Sequence, residues 1–296
     1  MSTRPDWVDP KLFPYESRYV ELGGARVHYI EEGTGPTLLM LHGNPTWSFL
    51  YRGVIEGLRD RFRCIALDYP GFGLSTAPHG YGFTAAEHSE IVASFVEELD
   101  LASWTPVVQD WGGPIGLGAA ARAPGRVAAL AILNTWAWPL QGNRDAERFS
   151  KLMGGPVGQF AITRLNGFVN LVMPLGSKRK LTKPVLNHYR RPFPTVESRG
   201  PVAVLPRELL AARAFLEGVE RGLEELRELP ALLCFSDGDR VFGERERERF
   251  AGMLPNHRQV TIENAGHYLQ EDSPQEIARA IAAWHPSQAP ASGSEP

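Results

Sequence analysis

The chain has 296 residues, is 43% hydrophobic and carries a formal net charge of −3. These values describe an ordinary globular protein of one large domain, or one domain carrying an insertion. They speak against a nucleic-acid-binding surface, and no run of about 18 apolar residues suggests a membrane span.

The opening "MSTRPDWVDPKLFP" lacks the apolar stretch of a signal peptide. Cys64 and Cys234, the only two cysteines, both fall in apolar strand-like runs. They read as buried, reduced thiols rather than a disulfide framework. A reducing, cytoplasmic setting is the expectation, with neither nucleic acid nor membrane as a partner.

"RYVELGGARVHYIEEG" (18–33) predicts two strands around a Gly-Gly turn. "PTLLMLHG" (36–43) is an apolar run suited to a strand buried on both faces. Helical spacing follows over 47–58, then a strand in "FRCIALDYPGFG" (62–73) ending in a Pro/Gly turn. Thr84 and Glu87 have the spacing of a capping box ahead of an amphipathic helix. "TPVVQ" (105–109) predicts a strand, "GPIGLGAAARAP" (113–124) a helix of small residues and "RVAALAILN" (126–134) another strand. Two more strands are expected, at 230–239 and 257–267. The last helix should start with a Ser273 cap, Pro274 at its first position and Glu276 at its third.

Strands alternating with helices predict an α/β fold with a mostly parallel central sheet flanked by helices. The stretch 138–212 breaks the rhythm with "RRPFP" and "SRGP", which suggests an inserted helical cap. The expected division is a core of 15–137 and 213–286, a cap of 138–212 and a disordered tail of 287–296. "ERERER" (244–249) and "SKRK" (177–180) read as a solvated helix face and a solvated loop.

Three acid or base residues stand at the exits of buried strands: Asp110, Asp239 and His267. Carboxyl ends of parallel strands converge on one crevice. The order nucleophile, acid, histidine is that of the α/β-hydrolase fold, and "VQDWG" has the form of its nucleophile elbow. Val108 stands where the serine version carries glycine, which points to a subtype.

An aspartate at the elbow carries its own chemistry. A carboxylate attacking a saturated carbon leaves an ester, which water can cleave at the aspartate's own carbonyl carbon. A serine would leave an inert ether. An aspartate is ordinarily ionised at neutral pH, so attack needs no base. His267 is needed only to take a proton from water, with Asp239 orienting it. "HGNPTW" (42–47) follows another strand, where this fold places an oxyanion-hole N–H; the other comes from Trp111, which follows the nucleophile. The Asn44 amide and the Trp111 indole are neutral N–H donors, suited to an anionic leaving group.

With these residues the chain resembles the haloalkane dehalogenases, from about Tyr15 to Trp284. "HGNPTWSFLYR", "DYPGFGLS", "VVQDWGG", "YRRPFP", "SRGPVAVLPREL" and "GHYLQEDSP" carry the resemblance. It implies Asp110 as nucleophile, His267 as base, and Trp111 and Asn44 as halide-binding residues. Some members carry their acid after the strand preceding the cap, here Asn134; others carry a later Asp, here Asp239. Asp237 lies two residues away, but the family's acid stands just before the "RVF"-like segment, which selects Asp239. Another branch takes a halide-binding Trp from the cap, and no Trp occurs in 139–212.

The implied reaction converts a small apolar haloalkane and water to an alcohol, a halide ion and a proton, without metal or organic cofactor. Single residues have plainer readings. Asp110 alone could cap the following helix, and Asn44 could be a turn residue before Pro45. His42 reads as structural, while Tyr189, Trp136 and Trp138 are open. Epoxide hydrolysis would use the same aspartate but needs tyrosine acids, and Tyr189 is the only tyrosine in 139–212. A ligand-binding or light-emitting relative without halide release is the remaining alternative. Halide preference, physiological substrate and oligomeric state are not legible in these motifs.

Overall fold

A computed structural model describes residues 4–286; the tail 287–296 lies outside the described residues. β1 (Arg18–Leu22) and β2 (Ala25–Glu32) form an antiparallel hairpin. Gly23 and Gly24, at φ 55° and 80°, make its turn, a backbone region that side chains disfavour. Then come β3 (Thr37–Leu41), β4 (Arg63–Leu67), β5 (Trp104–Asp110), β6 (Leu130–Thr135), β7 (Ala231–Ser236) and β8 (His257–Ile262). They build one eight-stranded sheet in the order β1-β2-β4-β3-β5-β6-β7-β8, parallel from β4 to β8. Every residue of β5, β6 and β7 is buried, which explains their unbroken apolar runs. Because β4 and β5 flank β3 on opposite sides, the chain reverses its winding there, and a crevice opens at the strands' carboxyl ends.

The helices in chain order are α1 (Arg52–Leu58), α2 (Ala85–Glu98), α3 (Gly112–Ala120), α4 (Arg144–Gly154), α5 (Pro156–Leu165) and α6 (Met173–Gly176). α7 (Lys183–Arg190), α8 (Gly200–Ala211), α9 (Arg213–Gly222), α10 (Glu244–Met253), α11 (Leu269–Asp272) and α12 (Pro274–Trp284) follow. Among the described residues, 138–212 contains helices and turns but no strand. α8 packs on α4 within it, while α9 packs on α3 beside the sheet.

Most expected elements are present, including the capping box of Thr84 and Glu87. Several boundaries differ for local reasons. The helical stretch from 47 begins as a 3-10 turn, Ser48–Tyr51, before α1. β6 starts at Leu130 rather than 126, because Pro124–Arg126 form a 3-10 turn. β8 ends at Ile262, and Asn264 then turns the chain with φ 55°. Ser273 precedes α12 but makes no side-chain cap, since its ψ of 54° is not the extended geometry that aims a cap hydroxyl. The "ERERER" face is solvated except at Glu246, which is buried and accepts from the Gly243 N–H at 3.0 Å. Cys64 and Cys234 are buried free thiols, and burial pushes both up to about 12.

Candidate active site

Asp110 is the last residue of β5 and has φ 51°, so the strand turns sharply into α3 at this residue. Trp111, not Asp110, occupies the N-cap position of α3 and makes no side-chain cap, so helix capping does not account for the carboxylate. The turn closes tightly. A Cβ on Gly112 would lie 2.1 Å from the Leu41 carbonyl oxygen, and one on Gly43 would lie 2.3 Å from Asp110 Oδ2. Thr135 Oγ1 donates to the Asp110 carbonyl at 2.5 Å and ties the elbow to β6. The Asn44 N–H donates to Asp110 Oδ2 at 2.8 Å.

His267 sits in the loop after β8. Its Nε2 lies 3.6 Å from Asp110 Oδ1, and its Nδ1 lies 2.9 Å from Asp239 Oδ2. Asp239 is held by the Val241 N–H, which donates to Oδ1 at 2.7 Å. Asp237 points elsewhere and accepts from the Asn264 and Ala265 N–H groups. Burial opposes charge on His267, but the carboxylates of Asp239 and Asp110 outweigh it and raise the imidazole to about 10. The two carboxylates thus draw a proton toward the ring from either side.

Asn134 does not approach the imidazole ring by hydrogen bonding. Its Nδ2 donates to Ser236 Oγ at 2.8 Å and to the carbonyls of Gly266 and His267 at 3.0 and 3.3 Å. Its Oδ1 accepts from the Ser236 N–H at 2.9 Å. It joins β6, β7 and the histidine loop, a structural task.

Asn44 and Trp111 both line the cavity that contains Asp110, Asp239 and His267. Asn44 Nδ2 donates one N–H to the Val202 carbonyl at 3.2 Å, and an amide carries two. The Trp111 indole packs edge-on against Trp136, with ring centroids 4.8 Å apart, and Trp136 stacks on Phe242 at 4.3 Å. The cavity measures about 750 Å³. Leu140, Phe149, Phe168, Val172, Pro206 and Leu209 form an apolar wall from the 138–212 stretch.

The residues left open in the sequence have definite places. Tyr189 is buried outside this cavity, and its hydroxyl donates to Glu271, which also takes a bidentate Arg52 pair at 2.5 and 2.7 Å. Trp138 lies beside Phe250 and under the Arg249 guanidinium, also off the cavity. His42 accepts from the Tyr69 N–H through Nε2 and donates from Nδ1 to the Gly43 carbonyl. Burial lowers it to about 4, so it is a neutral brace.

Sequence reasoning missed the supports. Asp272, within "GHYLQEDSP", accepts from Gly266, Lys178 and Arg179 N–H groups at 2.8, 2.9 and 2.7 Å. It fixes the histidine loop to the segment after α6, and the "SKRK" run owes its placement to those backbone bonds. Asp68, in "DYPGFGLS", is buried; it accepts from the Ser48 and Leu74 N–H groups and contacts His28 Nδ1 at 2.8 Å. Burial favours its neutral form, yet His28 and the N–H donors hold it below the usual carboxylate range. Asp68 is followed by the Pro/Gly turn "YPGFG", a signal that could have marked it as a buried loop anchor, whereas Asp272, at the end of α11, carries no such local mark.

This fold, with an Asp–His–Asp cluster at its strand ends, defines an alpha/beta hydrolase, and a family model for that fold matches residues 36–274. Haloalkane dehalogenase 2 of Mycobacterium tuberculosis H37Rv is 42% identical over 275 residues, covering 92% of this chain and 96% of the relative. The crystal structure of haloalkane dehalogenase DbeA from Bradyrhizobium elkani superposes with a TM-score of 0.84 at 31% identity, covering 91% of this chain and 97% of that one. A cis-3-alkyl-4-alkyloxetan-2-one decarboxylase of Shewanella oneidensis is 29% identical, covering 91% of this chain and 88% of the relative. The chain belongs to the haloalkane dehalogenase family, hydrolases acting on carbon–halide bonds. No helix among the described residues is long and apolar enough to cross a membrane.

Proposed function

We propose that the protein cleaves carbon–halogen bonds of small apolar haloalkanes through an ester on Asp110. The observation that carries this reading is a carboxylate, not a hydroxyl, on the elbow, with His267 Nε2 3.6 Å from it and Asp239 behind the ring. Asp110 Oδ attacks the carbon bearing the halogen; a C–O bond forms, and the halide leaves with the C–X electron pair. The Asn44 and Trp111 backbone N–H groups support the carboxylate, and later its tetrahedral intermediate. The remaining Asn44 amide N–H and the Trp111 indole N–H receive the halide.

Ester formation removes the Asp110 charge, one of the two carboxylates that favour a proton on His267. Burial then weighs more heavily, the proton is released to solvent, and Nε2 becomes a base. It takes a proton from a water that attacks Asp110 Cγ. The ester breaks, the alcohol departs, and the carboxylate returns carrying one oxygen from water. The sign of the pH dependence follows. Ester hydrolysis needs neutral imidazole, so it is lost as pH falls through the His267 pKa of the ester form, which lies below the free-enzyme value.

The 138–212 stretch acts in this scheme as the cap over the 15–137 and 213–286 core, and its apolar wall sorts substrates by shape. Epoxide hydrolysis finds no support at Tyr189, whose hydroxyl is committed to Glu271 outside the cavity. The test is a panel of short bromoalkanes, a simple epoxide and a dialkyl oxetanone, read as halide, diol and carbon dioxide. Halide release from bromoalkanes is expected; none from a broad panel, or turnover of the other substrates alone, would reject the reading.

A further inference from the structure

Gln109, immediately before Asp110, is fully buried, and its amide nitrogen has two neighbours on one residue. Nε2 donates to the His267 carbonyl at 3.1 Å and lies 3.2 Å from His267 Nε2. The His267 carbonyl settles the amide's orientation. Turned over, the Gln109 oxygen would face another oxygen with no proton between them. With nitrogen toward histidine, the second N–H faces the ring nitrogen that would do the work of the base. That contact suits a ring whose Nε2 carries a lone pair and whose Nδ1–H points at Asp239. The price of this orientation is visible, because Gln109 Oε1 is buried without a hydrogen-bond partner.

We infer that Gln109 is a positioning residue that selects the Nδ1–H tautomer of His267 and favours its unprotonated, base-competent form. The inference rests on the proposed reaction for its meaning but not for its geometry. Asp110 from the end of β5 and Asp239 from the loop after β7 both draw a proton onto the ring. The Tyr268 and Phe242 rings pack beside it. Asp145, Lys178, Arg240, Glu244, Arg245 and Glu246 line the same cavity without hydrogen-bonding the ring. Gln109 is the neutral donor opposing the two carboxylates. When the ring takes a proton, two N–H groups face one another. The imidazolium must then turn its Nε2–H to Asp110, and after ester hydrolysis that carboxylate is again there to accept it.

The test reads the ring directly. 15N shifts of the His267 nitrogens, identified by difference from the His267→Phe protein, report tautomer and protonation without any substrate. Gln109→Leu removes the donors at similar size. Gln109→Glu puts a carboxylate in their place and keeps the shape, should the leucine variant fail to fold. The expected order of titration midpoints is wild type lowest, Gln109→Leu about one unit higher, Gln109→Glu higher still. One unit corresponds to a tenfold smaller neutral fraction at a given pH. In single-turnover runs with a bromoalkane, the halide burst of Gln109→Leu should stay within about threefold of wild type. The acid limb of ester decay should move to higher pH by a similar unit. Unchanged or lowered midpoints in both variants would overturn the inference, as would equal loss of burst and decay with no shift of the limb. Absence of any halide burst in wild type would instead reject the proposed reaction, and the 15N titration would still decide the role of Gln109.

Discussion

The strand ends and the 138–212 stretch meet at one cavity but are built differently. Asp110, Asp239 and His267 follow the parallel strands β5, β7 and β8, and hydrogen bonds between side chains and backbone hold their turns. The facing wall is a patchwork of Leu, Phe, Val and Pro side chains from short helices, with a π-helical turn at Phe168–Val172 and Pro206 inside α8. One side has few ways to vary without losing the chemistry, whereas the other can exchange apolar volume for apolar volume. On the proposed mechanism the reaction belongs to the sheet and the choice of substrate to the facing wall.

Substitutions can break this division, and the largest effects belong at the strand ends. Asp110→Ala should abolish halide release, by roughly 10⁴-fold or more, measured as initial rates with bromoalkanes. Asp239→Asn should cost about 10³ to 10⁴-fold in turnover, because His267 loses both its tautomer partner and a source of basicity. Asp237→Asn, whose carboxylate serves the Asn264 turn, should retain activity within a few-fold. Asn44→Ala should slow halide formation by about 10² to 10³-fold if its amide is one of the leaving-group donors; an unchanged burst would remove it from the site.

Smaller effects are expected across the cavity. Phe168→Ala should shift the preference between short and long bromoalkanes by about tenfold in kcat/KM while leaving the ester intermediate detectable. A loss of chemistry with every chain length would show that the wall does more than select. Glu271→Gln should leave activity nearly intact but lower stability by about 3 kcal/mol in denaturant melts, since Arg52 and Tyr189 then lose their buried partner.

The strand ends were also the legible part of the sequence. Buried strands announce themselves as unbroken apolar runs, so a charged residue at an exit, such as Asp110 after "VVQ", is conspicuous. The parallel order then implies convergence without any knowledge of side-chain packing. The wall was illegible for the converse reason. Its apolar residues could pack inward or line a cavity, and nothing local distinguishes Trp136, which is covered by Phe242, from Phe149, which faces the void. Long-range pairings were hidden too. Tyr189 and Glu271 are 82 residues apart, and Gln109 meets His267 across 158. Glu246 looked solvated because its neighbours are charged, yet its place in the first turn of α10 buries it against the cavity.

On the proposed mechanism, a carboxylate on the elbow becomes an ester which only a histidine base can release. The most direct measurement is intact-protein and peptide mass spectrometry of the His267→Phe variant after exposure to a bromoalkane. The account predicts one equivalent of halide released and a stable added alkyl mass located on Asp110, absent when Asp110→Ala is combined with it. Continuous halide release without a protein adduct, or an adduct on any other residue, would contradict it.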